Sequence, residues 1–86
     1  MDETRFKEFL EHKNYTLKSV SSRMSRARKS EQMLGYDLDE AVSSDAKMRD
    51  SLIKLRDYDN REENYQNAVR SYYEFRNGKA FSKLDE

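Results

Sequence analysis

Residues 61–79, REENYQNAVRSYYEFRNGK, constrain the fold more than any other stretch. Tyr65, Ala68, Val69, Tyr72 and Phe75 recur at steps of three and four, so a helix carries them as a single stripe. Asn60 stands before the run and Glu63 three residues after it, a capping-box spacing that satisfies free N–H groups in a first turn. Gly78 follows Asn77 and can take the left-handed conformation that ends a helix. Three members of the stripe are aromatic and bury large areas, so this helix is expected to supply the centre of the core.

The rest of the chain supports an all-helical reading. Proline is absent and glycine occurs twice in 86 residues, which argues against a sheet protein built on turns. Residues 2–12 form a candidate first helix, with Phe6, Phe9 and Leu10 inward and Asp2 and Glu3 at its N-terminus. Thr16 is the expected cap of a second helix over about 17–34, whose buried stripe is Leu17, Val20, Met24, Ala27 and Leu34 and whose stop is Gly35. Asp37 and Glu40 have capping-box spacing around one short turn, with Leu38 and Val42 plugging the core. A further helix over 45–58 turns Met48, Leu52 and Leu55 inward, and Phe81 and Leu84 are left for packing in the tail. The expected fold class is all-α: one helical domain over residues 1–86, a compact bundle of four main helices plus a short helical turn. Only 35% of the residues are hydrophobic and 40% are charged, so the core is expected to be small and the domain marginally stable.

Several function classes find no support. Without cysteine there is no disulfide framework, thiol nucleophile or cysteine-built zinc site, which suits a reducing cytoplasm. The N-terminus lacks the apolar run of a signal peptide, and no stretch approaches transmembrane length, so no membrane partner is expected. No P-loop is present, and the single histidine, His12, has no second ligand nearby and reads as a helix-end residue. Asp37, Asp39 and Glu40 are close together but lack the spacing of a calcium-binding loop. No cofactor, metal, small-molecule substrate or enzymatic activity is expected.

Net charge is zero but unevenly distributed. Residues 13–30 hold Lys13, Lys18, Arg23, Arg26, Arg28 and Lys29 with no acid, whereas residues 31–50 are dominated by Asp and Glu. At about 100° per residue, Lys18, Ser22, Arg26 and Lys29 project opposite the apolar stripe of the second helix, with Arg23 at the margin. Cations neutralise phosphates and serine donates to phosphate oxygens, so this row is a candidate DNA-backbone contact. The last helix offers a second polar set in Gln66, Asn67, Arg70, Tyr73 and Asn77. Gln, Asn and Arg read base edges, and Tyr can contact phosphate.

The order FKEFL, KNYT, a basic helix, YDLDEAV and NYQNAVRSYYEFRNGK resembles the N-terminal SAM-like, or core-binding, domain of tyrosine recombinases and phage integrases. A late helix in that family carries an alanine-Leu/Val-Arg-x-Tyr/Phe-Tyr/Phe-x-Phe string, matched here from Ala68 to Phe75. The resemblance spans nearly the whole chain and implies a SAM-like bundle that forms one half of a clamp around double-stranded DNA. Carried residue by residue, it points to Lys18, Arg23, Arg26 and Lys29 and to Gln66, Arg70 and Tyr73. The family's catalytic domain has no counterpart here, so the expected function is DNA binding without catalysis. The alternative is a small phage or mobile-element module that binds and modulates a host protein, because a dipolar charge pattern steers protein partners as well as phosphates.

Overall fold

Five α-helices carry most of the described residues, 1–58 and 64–81, of the computed structural model. They are α1 (Glu3–His12), α2 (Leu17–Leu34), α3 (Leu38–Ala41), α4 (Asp45–Tyr58) and α5 (Asn64–Asn77). No strand occurs among these residues. The radius of gyration is 11.9 Å, close to the value of about 12 Å expected for a close-packed chain of this length.

The helix ends follow from the side chains placed there. Asp2 lies just outside α1 and accepts the Arg5 N–H at 3.2 Å. The Thr16 hydroxyl accepts the Ser19 N–H at 3.1 Å, and Gly35, at φ 82°, stops α2 by donating to the Glu31 carbonyl at 2.9 Å. Asp37 caps α3 through the Asp39 N–H at 2.7 Å, but Glu40 turns to Lys47 Nζ at 3.4 Å instead of completing a capping box. The Ser44 hydroxyl accepts the Lys47 N–H at the start of α4, at 3.1 Å. Gly78, at φ 73°, donates to Glu74 and ends α5. The Asn60–Glu63 capping box and Leu84 lie outside the described residues.

α2 and α5 form the centre of the bundle; each touches every other helix, and they pack most extensively on one another. The Ser30 hydroxyl reaches the Tyr65 carbonyl, while Lys13, just before α2, pairs with Glu74 late in α5, so the two helices run antiparallel. α1 closes one side with an aromatic cluster. Phe6 meets Tyr72 edge-on at 5.0 Å between centroids, and Phe75 lies 5.7 Å from Phe6 and 5.5 Å from Phe9. Tyr72 is fully buried, as its place on the stripe predicts. Val20, Leu52 and Val69 join it in the core, while Phe9 and Tyr65 are half-buried against the core's edge. Ser30 and Ser51 are buried without cost to hydrogen bonding, since each hydroxyl donates to the carbonyl four residues back at 2.8 Å. Leu17 departs from expectation. It shares a stripe with Met24 but is 80% exposed, at the rim of a groove beside Lys7 of α1.

Candidate nucleic-acid interface

The orientation of α2 decides which of its cations face solvent. Contact with four other helices buries a wide arc: Val20, Met24, Ala27, Ser30 and Leu34. The exposed arc runs through Lys18, Ser21, Ser25, Arg28, Lys29 and Gln32. The expected row is therefore divided. Lys18 and Lys29 stand in solvent, while Ser22 and Arg26 are half-buried at the arc's margin. Arg23 lies further inward. Its guanidinium stacks on the Tyr15 ring at 4.3 Å, and its Nε is buried without a protein acceptor among the described residues. Arg28, not Arg23, occupies the open arc, where it pairs with Glu3 at 2.6 Å.

Ion pairing separates α2's remaining cations from many of those elsewhere. Lys13 pairs with Glu74, Lys47 with Glu40, Arg76 with Asp39 and Arg5 with Asp2. Lys18, Arg26 and Lys29 make no ion pair among the described residues. With no acid between residues 13 and 30, they leave the outer side of α2 positive.

The polar set expected on α5 is corrected by the packing. Gln66 and Tyr73 are interior, at 7% and 4% exposure. Gln66 Nε2 donates to the Leu52 carbonyl of α4 at 2.8 Å. The Tyr73 hydroxyl donates to Asp45 Oδ1 at 2.9 Å, and its ring packs edge-on against Phe81 at 5.0 Å. Hydrogen bonding to Asp45, reinforced by burial, pushes the Tyr73 phenol above its ordinary range. Arg70 is half-buried and donates from Nη1 to the Phe81 carbonyl at 3.4 Å, bracing the segment after α5. Asn77 turns back onto the Tyr73 carbonyl at 3.1 Å, so Asn67 is the exposed member with no such tie among the described residues. The sequence does carry a signal for this burial. Gln66, Val69 and Tyr73 follow one another at three and four residues, a second line beside the aromatic stripe.

The acidic turn also has a role that its capping pattern did not reveal. Asp37 and Asp39, together with Glu31, surround the Met1 amine. Asp39 lies 3.3 Å from the amine and Glu31 3.5 Å, and Asp37 accepts its hydrogen bond. Burial alone would lower the amine's pKa, but the Asp37 bond and the surrounding carboxylates outweigh it and raise the value. The same bond holds the Asp37 carboxyl below its ordinary value. His12 sits at the helix end as expected, with Nδ1 2.7 Å from the Glu8 carbonyl.

Among the described residues, no helix is long and apolar enough to cross a membrane. No known protein family, curated protein or solved structure matches the chain.

Proposed function

We propose that this chain is a non-catalytic module that binds duplex DNA by holding the phosphate backbone on the outer side of α2. The observation that carries this reading is the set Lys18, Arg26 and Lys29, unpaired among the described residues and placed along the part of α2 before Glu31, which holds no acid. From Lys18 to Lys29 the helix rises about 16 Å. That length spans about five backbone steps of one strand along the duplex axis. Ser22, between the cations, can donate to a phosphate oxygen. The resemblance to the core-binding domain of tyrosine recombinases adds weight to the same helix.

The mode of binding is positional. Gln66 and Tyr73 are occupied inside the bundle, and Arg70 contacts the Phe81 carbonyl, so the base-reading set expected from α5 is reduced. Phosphate contacts fix register and orientation but carry no sequence information. Two of the tyrosines on α5, Tyr72 and Tyr73, also fit a non-catalytic role. Burial and the bond to Asp39 raise the Tyr72 pKa, and the bond to Asp45 raises that of Tyr73, the reverse of what activates a phenolate nucleophile.

A fluorescence anisotropy titration with a labelled duplex tests the proposal. Near physiological salt, sequence-tolerant binding is expected with Kd of about 10⁻⁴ to 10⁻⁶ M. The double substitution Lys18→Glu, Lys29→Glu should abolish it while helix content by circular dichroism is unchanged, because both side chains are exposed. Binding that survives the charge reversal contradicts the reading.

A further inference from the structure

We propose that the groove between α1 and α2 docks a protein segment presenting a large apolar side chain flanked by carboxylates. This groove is distinct from the row Arg26 and Lys29, and the inference does not rest on DNA binding. It encloses about 280 Å³ and is bounded by Lys7 of α1 and by Leu17, Val20, Ser21, Met24 and Arg28 of α2. Val20 and Met24 belong to the core, so the groove has an apolar floor continuous with it. Leu17 extends that surface into solvent at 80% exposure. A single exposed leucine is ordinary on a protein surface. Here it is the rim of a concavity that Lys7, Ser21 and Arg28 also border.

Charge complementarity identifies the occupant. Lys7 has no ion pair among the described residues, Lys18 follows Leu17 directly in sequence, and no acid occurs between residues 13 and 30. Glu3 pairs with Arg28 at 2.6 Å and offsets that one charge, leaving the border net positive through Lys7. Carboxylates on an incoming segment therefore meet Lys7 while an apolar side chain lies over Val20 and Met24. The volume falls just below the roughly 300 Å³ at which small-molecule pockets begin, so it suits a side chain or two of a peptide. A lipid surface is a poorer fit. The exposed arc around Leu17 continues as polar Ser21, Ser25 and Gln32, and the nearby exposed aromatic Tyr15 is stacked on the Arg23 guanidinium at 4.3 Å rather than free to insert. Interface energy concentrates in such apolar anchors surrounded by polar contacts.

Chemical-shift mapping of the ¹⁵N-labelled full chain tests the proposal. The probe is a blocked octapeptide with two adjacent leucines and three glutamates on either side. Saturable shifts confined to the amides around Lys7, Leu17, Ser21 and Arg28 are the expected result. Lys7→Glu and Leu17→Asp should each weaken binding about tenfold or more. Both side chains are exposed, so neither substitution threatens the fold. Lys29→Glu should leave peptide binding unchanged, which separates this site from a failure or success of the DNA reading. The proposal is overturned if no localised shift develops at about 1 mM peptide, a concentration that reveals even weak association. Equal binding by a peptide with lysines in place of the glutamates also overturns it. So does retention on phosphatidylserine vesicles that depends on Leu17 when the peptide gives no shift, since the occupant is then a lipid surface.

Discussion

The Tyr72 hydroxyl donates to Asp39 Oδ1 at 2.5 Å, joining the middle of α5 to the first turn of α3. The Tyr72 phenol oxygen in turn accepts the Asp2 N–H at 2.9 Å, so one phenol ties together three segments distant in sequence. Its ring is fully buried against Phe6. These contributions are separable. Tyr72→Phe keeps the packing and loses both bonds, with an expected cost of about 1–3 kcal/mol. Tyr72→Ala also opens a cavity and should cost about 3–5 kcal/mol, a large part of the stability of so small a domain. Urea unfolding curves measure both, and equal losses would contradict the central packing role given to the ring.

The Met1 amine and Asp37 predict a stability profile with two limbs. The amine's pKa is raised in the folded chain, so its contribution is complete below the ordinary value of 8.0 and is lost as pH rises through the raised value. The Asp37 pKa is lowered, so its contribution is complete above the ordinary value of 3.8 and is lost as pH falls through the depressed value. Urea midpoints should therefore decline on both sides of this interval. Asp37→Asn should weaken the protein within the interval and flatten the acid limb. An unchanged acid limb in that variant would show that Asp37 does not couple to folding.

Gln66 offers a test of the corrected α5 face. Gln66→Ala removes the donor to the Leu52 carbonyl inside the bundle and should cost about 1–3 kcal/mol. DNA affinity of the folded fraction should not change. Weaker DNA binding at unaltered unfolding midpoint would instead make Gln66 a contact residue.

The helices were legible because their punctuation is local. Thr16 and Gly35 mark α2 at both ends, and the aromatic spacing of Tyr72 and Phe75 sets the inner face of α5. The candidate interface was less legible because a helix's buried arc depends on how many neighbours it has. α2 touches four helices, so Arg23, Ser22 and Arg26 end up half-buried at the margins of its buried arc, positions that an amphipathic projection leaves fully outside. Gln66 and Tyr73 look polar in isolation, and their burial depends on Leu52 and Asp45 of α4, which no local pattern places opposite them. Leu17 shows the reverse error, an apolar residue on the right stripe that the rest of the bundle leaves uncovered.

The salt dependence of duplex binding tests the central claim most directly. If Lys18, Arg26 and Lys29 each neutralise a phosphate, log Kobs should fall against log salt with a slope of about −3, from about −0.9 per released counterion. Lys29→Ala should reduce that slope by about one and weaken all duplex sequences alike. A slope near zero, or a slope unmoved by Lys29→Ala, would contradict phosphate binding by α2.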